Sequence, residues 1–212
     1  SSLEDNSEGN GKFGLIMALI RLINPDFGFE LYLDSDFPTN SGLGGSSAIL
    51  AAILGCFNQF RNDKWNRHEL SEIAFQAERL HLGIAGGWQD QYATVFGGFN
   101  FIEFTMDQNI IHPLRIPHDT LMELEESLVI CDTGMVHESG LIHDDQRINM
   151  SRVAVRKIMR DSVDLSYRMR NYLLRGKLME FGASLNQAWE FKKSFSDKIS
   201  SIALDKIYAG AL

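Results

Sequence analysis

One segment constrains this chain more than any other: Pro38-Thr-Asn-Ser-Gly-Leu-Gly-Gly-Ser-Ser-Ala48, set between an alternating stretch and a long run without a single charge. Before it, Phe29 to Ser35 reads FELYLDS, which places Phe29, Leu31 and Leu33 on one face of a strand. A turn signal follows at residues 36–40. Behind it, Ser46 to Phe60 (SSAILAAILGCFNQF) predicts a helix buried on most of its circumference. The glycines therefore sit where a strand feeds a helix, and backbone N–H groups converge at the helix N-terminus, a ready anion site. Gly42, Gly44 and Gly45 let the main chain come close to a phosphate, and the helix dipole adds about half a positive charge. Ser46 and Ser47 can cap the helix, and a hydroxyl there can also ligate Mg²⁺ carried by a nucleotide. The plainer alternative is a Gly-rich turn followed by a Ser N-cap. No Lys follows the glycines, so this is not a Walker A loop. The third glycine is misplaced for the dinucleotide fingerprint, and no acidic residue ends a second strand about 20 positions on.

Two carboxylates follow. A helix over Arg67 to His81 places Leu70, Ala74 and Ala77 in an apolar stripe, with Glu78 at i+4 from Ala74 on the same side. Glu72, Gln76 and Arg79 are expected on the opposite, solvated side. An inward carboxylate must meet a cation or take a proton, unless it snorkels to water at the helix edge. Asp90 lies in Gly86-Gly-Trp-Gln-Asp-Gln-Tyr-Ala-Thr-Val-Phe-Gly-Gly98, a polar triplet among aromatic and small residues hinged by two Gly-Gly pairs. That packaging suits a base screened from bulk water; alternatively Asp90 only caps a short helix.

Elsewhere the chain reads as an ordinary globular sequence. Its 212 residues, 44% hydrophobic and 23% charged, can bury a sizeable core. A net charge of -8 offers no field for DNA or an acidic membrane, so nucleic-acid and membrane partners are not expected, and a polyanion must be held locally. Cys56 and Cys131 each stand in an apolar stretch and are expected buried, which fits a reducing cytoplasm. No apolar run reaches the roughly 20 residues that span a bilayer. Phe13 to Leu22 predicts an apolar helix stopped by Asn24-Pro25. Phe99 to Phe104 and Leu128 to Cys131 predict strands, and 144–173, 176–193 and 198–210 predict helices, with a domain boundary near Pro117.

The glycine segment resembles the second motif of the GHMP kinases (galacto-, homoserine, mevalonate and phosphomevalonate kinases): proline, three residues, then Gly-Leu-X-Ser-Ser-Ala. Here one residue is added, giving Gly-Leu-Gly-Gly-Ser-Ser-Ala. Counted from Gly42-Leu43, Ser46 takes the place of the metal-ligating serine; counted back from Ala48, Ser47 does, and Ser46 is favoured. The resemblance implies that Gly42, Leu43, Gly44, Gly45, Ser46 and Ser47 hold the ATP phosphates, that Ser46 and Glu78 hold Mg²⁺, and that Asp90 acts on the acceptor hydroxyl, with Gly87 also at the substrate. The run from Gly86 to Phe104 is similar, nearly residue for residue, to the heptose 7-phosphate kinase branch. Asp132 to Ser139 looks like that branch's Thr-Gly segment, with His137 where an Arg is common, and residues 184–208 resemble the helices before the family's third motif.

The resemblance implies an α+β, two-domain GHMP kinase fold. Its N-terminal part is like the second domain of a small-subunit ribosomal protein, and its C-terminal part is helix-rich. Residues 1–117 would be a partial N-terminal domain with the phosphate loop and catalytic Asp, and 118–212 a partial C-terminal domain. The family's first and third motifs are not found, so the sequence reads as a fragment that binds nucleotide poorly. The implied partners are ATP and a sugar or sugar phosphate, acted on in the cytoplasm. Rival readings are an L-fucokinase-like or other sugar kinase, a catalytically silent GHMP-fold binding module, and an α+β domain whose glycines serve only turns.

Overall fold

The computed structural model describes residues 13–36, 42–83, 86–131, 133–134, 145–146 and 148–211. The turn at 37–40, Asp132 and His137 lie outside the described residues. The chain forms two compact units, dividing between Gly98 and Phe99.

The first unit begins with α1, Gly14–Ile23, whose Ala18, Leu19 and Ile20 are buried. It stops where expected: Asn24 takes a left-handed conformation, φ 41°, and returns its N–H to the Ile20 carbonyl before Pro25. Residues 29–35 take no regular secondary structure, and no ladder forms there among the described residues, so the expected strand is not seen. Of its apolar set Leu31 packs against the core and Phe29 lies edge-on to Phe57, while Leu33 remains exposed. Alternation fixes which side chains share a face; a strand also requires a neighbour with free N–H and C=O groups.

Helix α2, Gly45–Phe60, buries Leu50, Ile53, Leu54 and Phe57 on one face, and Cys56 and Phe60 face outward. It was expected to be covered on most sides. Among the described residues only α1, α3 and α4 pack on it to any extent, so one face suffices. Leu50 and Leu54 have no exposed surface, and each such side chain contributes about 1.5–3 kcal/mol. With Leu19, Ile20, Ala74 and Ala77 they form the core of this unit.

Helix α3, Arg67–Phe75, opens with a reciprocal cap. The Asn66 side chain accepts from the Glu69 N–H at 3.1 Å, and the Glu69 carboxylate accepts from the Asn66 N–H at 2.7 Å. Asn66→Ala is expected to cost about 1 kcal/mol in denaturant unfolding, with the slope of the transition unchanged. From Gln76 to His81 the helix widens into a π turn. Helix α4, Gln89–Phe96, then packs on both α2 and α3. Trp88 lies flat on Phe75, ring centroids 3.5 Å apart, and the Tyr92 hydroxyl donates to the Glu72 carboxylate. Glu72, expected in water, is half-buried because α4 covers that side of α3.

The second unit starts with an antiparallel hairpin, β1 Asn100–Phe104 and β2 Asn109–Pro113, with Ile102 opposite Ile111. Helix α5, His118–Ser127, follows, and α6, Val153–Leu174, pairs with α7, Leu178–Lys193. The chain continues to α8, Ile202–Ala211. The hairpin is pinned to α6 where the Glu103 carboxylate accepts from the Tyr167 hydroxyl and meets His112 Nε2 at 2.6 Å. The Tyr167 hydroxyl, and then His112, hold the Glu103 carboxyl below the usual carboxylate range, and the same bond raises the Tyr167 phenol. Among the described residues no strand forms over Leu128 to Cys131, where one was expected, and Cys131, like Cys56, is exposed rather than buried. Among the described residues no helix is long and apolar enough to cross a membrane.

Candidate active site

The glycine turn ends at Gly44, which occupies the N-cap of α2 in a left-handed conformation, φ 73°; Gly42 is left-handed too, φ 77°. An L side chain at either position would be strained. Because Gly44 is the cap, neither Ser46 nor Ser47 caps the helix, contrary to expectation, and no side chain does. The first-turn N–H groups of Gly45, Ser46 and Ser47 are those a helix leaves without an internal acceptor, and the dipole end lies with them. Leu43 stands exposed beside them.

The two serines diverge. Ser46 Oγ donates to Glu78 Oε1 at 2.8 Å. Ser47 is fully buried, and its hydroxyl has no hydrogen-bond partner among the described residues. Geometry thus sets Ser46, not Ser47, against the carboxylate.

Glu78 is only 4% exposed, so it does not snorkel to water. Its second oxygen, Oε2, accepts from Gln91 Nε2 at 2.5 Å, and Arg79 approaches Oε1 at 3.8 Å. Arg79 was expected in solvent, yet its side chain is 9% exposed. The π turn is the reason. It breaks the 100° period on which that expectation rested, and the long Arg79 side chain reaches back to Glu78 Oε1 and lies against Gly86. The Arg79 guanidinium fills the space where Gly86 lacks a side chain; a Cβ there would lie 2.4–2.7 Å from three of its atoms. Gly87 is exposed and has open space where a Cβ would be.

Asp90 is the second residue of α4 and half-buried. It does not cap that helix, whose N-cap is Trp88. A carboxylate in the first turn is favoured by the helix dipole. Its neighbour Gln91 is fully buried and carries the bond to Glu78. The structure therefore gathers Gly44, Gly45, Ser46, Glu78 and Gln91 by direct or sequential contact, with Asp90 adjoining Gln91. Sequence reasoning passed over Gln91 and misplaced Arg79; the signal for Gln91 was a polar residue inside an aromatic and small-residue run.

Ser46 Oγ and Glu78 Oε1 suit a magnesium ion. Neighbouring ligands of an octahedral Mg²⁺ with 2.0–2.1 Å bonds lie about 2.9 Å apart, close to the 2.8 Å between these oxygens. Among the described residues no group of three His, Cys, Asp or Glu side chains could hold a metal, so the pair would share its ion with ligand oxygens.

Residues 14–98, which include the glycine turn and the Ser46–Glu78–Gln91 contacts, match the model of the GHMP kinases N terminal domain. The chain has the GHMP kinase fold. It is 33% identical over 213 aligned residues to D-glycero-alpha-D-manno-heptose 7-phosphate kinase of Campylobacter jejuni, covering 96% of this chain and 62% of that protein. It superposes on the crystal structure of a D-glycero-D-manno-heptose 1-phosphate kinase from Bacteroides thetaiotaomicron with TM-score 0.65 and 30% identity, covering 88% of this chain and 56% of that one. L-fucokinase/L-fucose-1-P guanylyltransferase of Bacteroides fragilis is 25% identical over 85% of this chain, which spans 19% of that larger protein. The chain thus spans about three fifths of the length of the two heptose kinases it matches.

Proposed function

We propose that the protein is an ATP-dependent sugar kinase, transferring the γ-phosphoryl group to a sugar hydroxyl, with the anomeric hydroxyl of a heptose 7-phosphate as acceptor. The observation that carries this reading is the Ser46–Glu78 contact at the mouth of the glycine turn, tied through Gln91 to the helix bearing Asp90. The heptose assignment is supported by the two heptose kinase relatives. In this reading residues 1–117 belong to the N-terminal domain of the parent enzyme and 118–212 to its C-terminal domain.

Gly42 to Ser47 would cradle the triphosphate with first-turn N–H groups. Ser46 and Glu78 would hold Mg²⁺, which when bound offsets charge on the phosphate oxygens. Asp90, with Gly87 before it, would face the acceptor: its carboxylate orients the hydroxyl and takes its proton as the oxygen attacks phosphorus. Burial of Glu78 and Gln91 keeps water from competing for the same atoms. Positioning and electrostatics supply most of the rate in such a transfer.

The test is a substrate panel on the parent enzyme with magnesium-ATP, in which ADP release and the ³¹P spectrum of the product are followed for heptose 7-phosphate, L-fucose and galactose. Heptose 7-phosphate should give an anomeric phosphate. Turnover of L-fucose alone would move the protein to the alternative reading, an L-fucokinase-like enzyme, which the Bacteroides fragilis relative favours. No ATP turnover and no nucleotide binding with any sugar would leave a silent binding module.

A further inference from the structure

We propose that Gln91 is a positioning residue that fixes the Glu78 carboxylate and ties it to the helix carrying Asp90; the inference rests on the kinase reading above. The terminal torsion of a glutamate is broad and nearly two-fold, so a carboxylate on its own can present either oxygen, or both, to a cation. Here the two oxygens are divided. Oε2 is taken by the Gln91 amide at 2.5 Å, which leaves Oε1 beside Ser46 at 2.8 Å. The amide is neutral, so it orients the carboxylate without adding to the positive charge that Arg79 already sets 3.8 Å from Oε1.

Gln91 is itself held. It is fully buried, and its neighbour Tyr92 is 1% exposed with its hydroxyl on Glu72. Besides the Arg67 bond to the Phe96 carbonyl, helix α4 is therefore joined to the α3 segment at Glu72, before the π turn, and at Glu78, within it. The joint at Glu78 is made by the residue directly after Asp90 in the chain, so the metal-side carboxylate and the proposed base are registered through one residue. The amide carries a cost of its own. Gln91 Oε1 is buried without a hydrogen-bond partner among the described residues, a cost that an apolar residue of similar size would avoid. The amide is kept for what its nitrogen does.

The experiment is calorimetric binding of ATP to the protein as free Mg²⁺ is titrated, alongside sugar-dependent turnover. Gln91→Met removes the donor at similar volume. It should raise the Mg²⁺ concentration for half-maximal ATP binding by at least about tenfold, the usual range for partners behind a metal ligand. Metal-free ATP affinity and the sugar KM should stay unchanged while kcat falls. Gln91→Glu keeps the shape but sets a second carboxylate against Glu78, so the two share a proton. Its Mg²⁺ requirement should likewise differ from that of the unaltered protein by at least about tenfold, and this variant decides the matter if Gln91→Met does not fold. An unaltered Mg²⁺ requirement in either folded variant overturns the proposal, as does an equal loss of metal-free and metal-supported binding. Glu78→Gln separates the two levels. If it abolishes the Mg²⁺ effect while Gln91→Met leaves it intact, only the role of Gln91 is lost; if it too changes nothing, the metal-dependent kinase reading fails with it.

Discussion

Asp90→Asn is expected to lower sugar-dependent turnover by about a hundred- to ten-thousandfold, the range that a positioned acid or base supplies. The amide keeps the size and the first-turn place on α4, so the packing of Gln91 and Tyr92 next to it should persist. What is lost is the capacity to accept a proton from the acceptor hydroxyl. ATP affinity in the presence of Mg²⁺ should therefore hold within about threefold, since no bond joins Asp90 to the glycine turn among the described residues. Single-turnover kinetics read the chemical step directly. Near-normal rates would remove Asp90 from the mechanism and leave it a helix residue favoured only by the dipole.

Glu78→Gln attacks a different step. The substitution replaces a buried charge with a dipole at the point where Ser46 and Gln91 meet, and the Gln91 N–H₂ would then face an amide rather than a carboxylate. A cation shared with the triphosphate loses its only protein charge in this pair. kcat/KM should fall about a hundred- to thousandfold, comparable to removing one group that stabilises transition-state charge. Unlike Asp90→Asn, the variant should show a weakened response of ATP binding to Mg²⁺, measured by calorimetry with and without the metal. Equal responses in variant and parent would exclude Glu78 as a ligand.

The contrast between these residues shows what the sequence carried. The glycine turn was legible because left-handed backbone at Gly42 and Gly44 needs glycine, and the pattern stands in the letters. Glu78 was legible because i+4 spacing from Ala74 holds as far as residue 78. Arg79 was not, since a π turn breaks the period that the reading assumed, and nothing in QAERLH announces one. Gln91 was named only as one of a polar triplet, because its bond reaches back 13 positions to a helix whose placement no local pattern gives.

Elements outside the site follow the same logic. Helix α1 and its Asn24 stop depend on local spacing and capping and came out to within a residue. Residues 29–35 and 128–131 carry strand-like side chains but find no ladder among the described residues, since pairing is decided by distant chain. Strand β2 and helix α5 were passed over: NIIHP is short and ends in proline, and HDTLMELEES mixes charge with only a few apolar positions. Exposure of Cys56 reflects a helix covered on one side only, which a count of apolar neighbours in the sequence could not reveal.

The widened turn between Gln76 and His81 has a bearing on inheritance. A π turn is an α-helix with a surplus residue, so the place where this helix leaves its regular period is written into the number of links in the chain and not into any single side chain. Drift that exchanges letters within those six positions can leave the arrangement standing. Loss of one codon would erase it.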